Sequence, residues 1–251
     1  MRDLTTIIAG ALGGALIAIV LIFAAAQNGM LPMPAGGTSG EAIRGYLLAH
    51  PELVSQMNDK LAMQQQADQD KVAAEAMKKI GLNAFFDPKI AFITGPADAK
   101  KSVVELYDYN CPYCRASLPA LEKFYQAHKN DTRFSFIEFP IKGPDSIVAA
   151  KVALAARNQP DKYLALHFAL MSETQPVDAN LIMQDAVKAG LNLTKLKADM
   201  EKPEVDAAID ASHALAKRAG IDGTPTFIVN GIMHPGAVDD AALAELAAKE
   251  G

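Results

Sequence analysis

Cysteine is nearly absent: of 251 residues, only Cys111 and Cys114 carry thiols. Two cysteines cannot build a zinc ribbon, an iron–sulfur cluster or a disulfide-stapled miniprotein. The histidines do not fill the gap, since none of His50, His128, His167, His213 and His234 pairs with another at ligand spacing. No metal and no separate cofactor is expected. Blocks of like charge are missing too. Lys and Arg number 24 against 29 Asp and Glu, a formal net charge of −5, which argues against nucleic acid as a partner. Charged residues make up 21% and hydrophobic ones 50%, a balance that excludes intrinsic disorder. A chain of this length closes one or two cores without staples.

What is present begins with an address. Leu4 to Ala26 holds no charged residue, and at about 1.5 Å per residue it spans about 30 Å of hydrocarbon. A cleaved signal has an apolar stretch of about 7–15 residues. Residues 1–26 therefore read as an uncleaved signal anchor, with Ala24-Ala25-Ala26 leaving cleavage as the alternative. Arg2 precedes the span and no Lys or Arg follows until Arg44, which puts the body of the protein outside the cytoplasm. Gly10 and Gly14 form a G-x-x-x-G that would permit helix pairing.

Residues 27–40 read as a flexible tether. Thr38 and Glu41 form a capping box that opens a helical extension over 41–81. Within it Val54, Met57 and Leu61 keep helical spacing, Gln64, Gln65, Gln66, Asp68 and Asp70 interrupt it, and Val72, Met77 and Ile80 resume it. Such an arm either packs on its own domain or self-associates.

After Asn83 the period changes. Ala91–Thr94 and Ser102–Tyr109 read as strands about a Gly95-Pro96 turn, Cys111 to His128 as a helix, and Phe134–Phe139 as a strand. From Pro144 to Gly220 the text is helical: Ser146–Asn158, Asp161–Met171, Ala179–Ala189 and Val205–Ala219. Thr226–Val229, Asn230-Gly231 and Ile232-Met233 make a hairpin, and Val238–Lys249 a last helix. The order is β-α-β, a helical insertion, then β-β-α. A C-x-x-C beside a βαβ pattern is the thioredoxin-like redox signature.

Two randomly placed cysteines would stand three apart only about 1% of the time, so the spacing asks for a reason. Cys111 falls at the N-terminus of a helix, where unpaired N–H groups and the helix dipole favour a thiolate. Cys114 lies one turn on, on the same face, placed to attack a mixed disulfide at Cys111. Pro112 suits the first turn because its missing N–H costs nothing there. A structural disulfide over so short a loop would remove only about 2 kcal/mol of unfolded-state entropy, and Arg115 stands where a c-type haem motif needs His. Glu105 sits in an otherwise apolar strand. It is either a solvated edge residue or, if turned beneath the helix, a proton acceptor for Cys114. His167 reads as a satisfied core histidine, and Arg115 and Lys123 as the solvated face of the helix.

YDYNCPYC, with Glu105 six residues before the first cysteine, the helical insertion and GTPTFIVNG together resemble the DsbA-like thioredoxin-fold oxidoreductases. EAIRGYLLAHPELV and the polar helix after it resemble the N-terminal extension of the ScsC-like branch. The resemblance implies an α/β thioredoxin fold over 82–250 with a helical insertion at about 144–220, behind a helical arm and a transmembrane or signal-anchor helix. It makes Cys111 the exposed nucleophile, Cys114 the resolving thiol and Glu105 a buried carboxylate that handles protons. Pro225 becomes a cis proline facing the disulfide, Thr224 a backbone contact for the substrate chain, and Pro112 and Tyr113 part of the substrate surface. The redox group is then the Cys111–Cys114 disulfide itself. Implied partners are exported cysteine-containing proteins, a membrane redox partner and further copies of the chain through 41–80. The expected place is the bacterial cell envelope, anchored in the inner membrane or soluble in the periplasm after cleavage. Cys-Pro-Tyr-Cys with Thr before the proline resembles isomerases and reductases more than oxidases. A dithiol oxidase and a non-enzymatic chaperone or copper-binding factor are the alternatives.

Overall fold

The computed structural model describes residues 40–249. The segment 1–26, its Gly10 and Gly14, the capping Thr38 and nearly all of the tether lie outside the described residues. Among the described residues no helix is long and apolar enough to cross a membrane. Two compact units divide between Gln65 and Gln66.

The first unit holds α1 (Gly40–Ala49) and the start of α2 (Glu52–Ile80). No residue of α1 is buried. Tyr46, Leu48, Val54, Met57, Leu61 and Met63 are all exposed, Leu48 by 71% and Met63 by 73%. The helical spacing of apolar residues is present, but among the described residues of the unit no core covers it.

The second unit is a sheet with helices on both faces. Its elements are a 3-10 turn (Leu82–Phe86), β1 (Ala91–Thr94), β2 (Lys101–Tyr107), α3 (Pro112–His128) and β3 (Thr132–Glu138). The helical run is α4 (Pro144–Ala156), α5 (Pro160–Ser172), α6 (Ala179–Lys188), α7 (Leu193–Met200) and α8 (Pro203–Ala219). The chain returns through β4 (Thr226–Val229), β5 (Ile232–Pro235) and α9 (Asp240–Ala248). Helix α7 is one the sequence reading passed over. It is only eight residues long, but the Asn192 side chain caps it by accepting from the Lys195 N–H at 2.9 Å.

Strand order is β1-β3-β2-β4-β5. β2 and β3 run parallel, and β1–β3, β2–β4 and β4–β5 are antiparallel. β2 therefore has a partner on each edge, and both of its faces are covered. Val103 and Tyr107 pack on one face with Phe134, Phe227 and the two cysteines. Val104 and Leu106 pack on the other with Ile228, Phe85 and Leu215. Met77 belongs to this second cluster. That contact is why the last turns of α2 go with the second unit, rather than with an arm ending at Gly81.

Gly95 turns the chain from β1 with φ +85°, and a Cβ there would stand 2.1 Å from the Thr132 carbonyl oxygen. Only glycine fits both the angle and the space. Gly95→Ala should lower stability by at least about 2 kcal/mol, the left-handed penalty plus a backbone clash, measured by urea unfolding.

Candidate functional site

The site grows out of the C-terminal end of β2. The strand stops at Tyr107, and Asp108 fastens the turn that follows. Its buried carboxylate accepts from the backbone N–H of Asn110 (2.8 Å), Ile141 (2.7 Å) and Lys142 (2.8 Å) and from Ser146 Oγ (2.7 Å). One side chain thus ties β2, the active-site turn and the start of the insertion together. Residue pattern alone does not single it out, although it stands where the chain must leave the sheet. Arg115 is not on a solvated face. Its Nε donates to the Tyr109 carbonyl at 2.9 Å and its Nη2 to Asn110 Oδ1 at 3.0 Å, and Asn110 in turn bonds both ways with the Val177 backbone. Lys123 is exposed and pairs with Asp240.

Cys111 is the N-cap of α3 and Pro112 its first residue. Both thiols are free. Cys111 is 0% exposed, which corrects the expectation of an exposed nucleophile. The cause is the loop before β4, whose Thr224 carbonyl oxygen lies 3.1 Å from Cys111 Sγ. The exposed members of the motif are Pro112 and Tyr113, the latter at 65%. The Thr224–Pro225 peptide bond is cis.

The two sulfurs are pushed in opposite directions. Cys111 is lowered to about 5, first by the hydrogen bond from Cys114, then by the Thr224 side chain and the N–H groups of Cys114 and Tyr113, against an opposing effect of burial. The peptide amides expected at the helix N-terminus contribute, but the second cysteine contributes more. Cys114 is driven far above the ordinary thiol range by burial, then by its bond to Cys111 and the charge of Glu105. A sulfur ionised near neutrality therefore lies beside one held protonated. Ionisation also changes the Thr224 contact. A thiol donates to that carbonyl, whereas a thiolate faces the negative end of its dipole.

Glu105 is 2% exposed. It stands opposite Phe136 on β3 and Phe227 on β4, so the solvated-edge alternative does not apply. Burial, then the charge of Cys111, raises its carboxyl to about 8. His167 is equally buried, and burial lowers it to about 3. It is not satisfied: Nε2 has no hydrogen-bond partner among the described residues and lies 3.9 Å from Glu105 Oε2, which has none either.

The raised Glu105 has a thermodynamic signature. Its folded-state pKa of about 8 exceeds the ordinary value of 4.5, so the acid destabilises the fold progressively as pH rises from 4.5 to 8. Glu105→Gln should therefore stabilise the protein by about 3 kcal/mol at pH 7. The gain should vanish below pH 4.5 in urea titrations across that range.

Comparison with known proteins places this geometry. A family model described as the DSBA-like thioredoxin domain matches residues 102–248. A thioredoxin-like oxidoreductase from Silicibacter pomeroyi is 38% identical, covering 66% of this chain and 95% of its own, with TM-score 0.61. A periplasmic thioredoxin-like protein from Salmonella enterica serovar Typhimurium is 33% identical, covering 66% and 92%, with TM-score 0.60. ScsC of Proteus mirabilis in a transitional conformation is 26% identical over 82% of this chain and 92% of its own, with TM-score 0.62. The chain spans about a quarter of the length of the curated relatives it matches, such as a Na(+)/H(+) antiporter NhaA of Herminiimonas arsenicoxydans, 29% identical over 153 residues. The chain belongs to the DSBA-like thioredoxin domain family.

Proposed function

We propose that the protein is a disulfide isomerase or reductase of the bacterial cell envelope, acting on exported cysteine-containing proteins through Cys111 and Cys114. The observation that carries the chemistry is the placing of Cys111 at the N-cap of α3 with buried Cys114 one turn on, which lowers the first sulfur and raises the second. The Cys111 thiolate attacks a client disulfide, forming a Cys111–client bond and releasing the other client sulfur as thiolate. In isomerisation that sulfur attacks elsewhere in the client and Cys111 is regenerated. In reduction Cys114 gives its proton to Glu105 and attacks Cys111 Sγ, the Cys111–client bond breaks, and the client leaves as thiolate. The product is a Cys111–Cys114 disulfide, which a membrane redox partner would reduce again. Thr224, whose carbonyl oxygen lies 3.1 Å from Cys111 Sγ, would form with Pro225, Pro112 and Tyr113 the surface a client chain meets.

Three features support the finer reading. Cys-Pro-Tyr-Cys and Thr224 before the cis proline resemble isomerases and reductases. The exposed apolar residues of 41–63 suit self-association, which would set several sites around one client. The Salmonella relative is periplasmic, and residues 4–26 here are free of charge, as an export signal or inner-membrane anchor requires. One observation favours the second reading, a dithiol oxidase. Lowering Cys111 to about 5 stabilises the reduced form and so raises the potential toward that of an oxidant.

Equilibration with glutathione, paired with refolding of scrambled ribonuclease, decides between the two. Isomerase activity is expected, and a strongly oxidising potential without refolding would overturn it. Alkylation of Cys111 in the reduced protein should show a midpoint near pH 5. Cys114→Ser should accumulate mixed disulfides with clients, while Cys111→Ser should abolish insulin reduction. Light scattering should show an oligomer that Leu48→Asp with Met63→Asp disperses.

A further inference from the structure

The two unpartnered atoms of Glu105 and His167 open onto a larger buried cluster. Tyr107 and Tyr109 stand at the end of β2, Glu138 ends β3, and Tyr163 and His167 lie one turn apart on α5. All five are buried. Tyr109 Oη is 3.2 Å from His167 Nδ1 and 3.4 Å from Glu138 Oε1. Tyr107 donates to Glu138 Oε1 and lies 2.8 Å from Tyr163 Oη and 3.3 Å from Tyr109 Oη. A chain of polar groups therefore runs from Glu105 through His167 and Tyr109 to Glu138. Its one gap is the 3.9 Å between Glu105 Oε2 and His167 Nε2, less than about 1 Å beyond hydrogen-bond reach. Two facing polar atoms in an apolar interior gain most by bonding to each other.

A neutral imidazole suits both states of the carboxyl, because one ring nitrogen donates while the other accepts. Toward an ionised Glu105, Nε2–H donates and Nδ1 accepts from Tyr109. Toward a protonated Glu105, Nε2 accepts and Nδ1–H donates to Tyr109, whose own O–H turns to Glu138. We propose that His167 is a positioning residue for thiol–disulfide exchange: by switching tautomer it holds Glu105 in both protonation states and links it through Tyr109 to Glu138 while Glu105 takes the Cys114 proton. The inference rests on the exchange chemistry above. The proton leaves Cys114 Sγ for the Glu105 carboxylate, the Cys114–Cys111 bond forms, the Cys111–client bond breaks, and the client thiolate takes its proton from water.

The groups that act on Glu105 are Cys111 and Cys114 from α3, Tyr109 from the turn after β2, and Tyr163 and His167 from α5, while Tyr107, two residues on, shares its face of β2. Glu138 of β3 lies beyond the tyrosines, with Asp108 and Arg157 acting on it electrostatically. Phe136 and Phe227, its neighbours across the sheet, carry no charge. A hydrogen bond to an ionised acceptor is stronger than one to a neutral partner. Losing the ring therefore harms the carboxylate more than the acid, and moves the Glu105 titration upward.

The test uses the full chain carrying a thionitrobenzoate mixed disulfide at Cys111, with release by Cys114 followed across pH 5–10. Wild type should show a rate limb near pH 8 that Glu105→Gln removes. His167→Phe should move that limb up by about one pH unit or more, making release about tenfold slower at pH 7. His167→Gln, whose amide donates and accepts at every pH, should bring the limb back toward its original position. A His167→Phe limb at the wild-type position, or no recovery with Gln, would overturn the proposal. If His167→Phe does not fold, nitrogen-15 spectra of the wild-type ring decide. Tautomer populations should exchange as Glu105 titrates, and a constant ratio would refute the inference. Wild type that never releases thionitrobenzoate would instead remove the exchange reading itself.

Discussion

Everything at this site depends on the exclusion of water from both faces of β2. The strand is paired on each edge and packed above and below, so Glu105 has no solvent to stabilise its charge. The same enclosure holds Cys114 protonated and leaves Cys111, at the helix N-cap, as the sulfur that ionises. Burial is the leading cause of the shifts in Glu105 and Cys114 and opposes that in Cys111. The low pKa of Cys111 is therefore achieved against its surroundings, by donors aimed at the sulfur. The foremost of these is its own partner, so the proton that keeps Cys114 inert also keeps Cys111 reactive. Once Cys111 is bonded to a client it no longer needs that donor, and Cys114 can give the proton up and attack.

Such an arrangement works against the fold. A carboxyl raised to about 8 in the central strand costs stability at neutral pH, and the rest of the structure offsets that cost. Asp108 shows how. Its four bonds fasten the turn, the insertion and the strand end, so the backbone does not relax to let water reach Glu105. Arg115 and Asn110 complete the clamp from the helix side. Fixing the turn also fixes where Cys111 Sγ stands relative to Thr224.

The architecture was legible from residue pattern because its signals are local. The strand alternation, the proline at the start of α3 and the Asn-Gly hairpin are each encoded within a few residues. Helix α7 was lost because eight residues give periodicity little room to show itself. The cysteines were legible as a redox pair from spacing and context. The surroundings of Glu105 were not, because alternation tells which face a residue takes and not whether that face is covered. That depends on β3 and β4 flanking β2, with β4 more than a hundred residues away. His167 escaped for the same reason. LALHFALM shows a histidine in an apolar helix, but only the folded chain sets its Nε2 beside an unpartnered carboxyl oxygen.

The covered position of Cys111 follows from the same logic. A thiolate standing in solvent would be well hydrated, and hydration would both lower its nucleophilicity and remove the need for aimed donors. Here the sulfur is shielded, and the Thr224 carbonyl against it binds a thiol but repels a thiolate. The ionised sulfur is thus held by donors on one side and pushed by a dipole on the other. Thr224 is also the residue whose backbone would pair with a client chain in the proposed exchange. An approaching client would then occupy the loop that confines the sulfur, coupling recognition of the chain to access to the thiolate. In the proposed exchange Tyr113, exposed beside Pro112, would meet the client chain, and an apolar client segment would bury it.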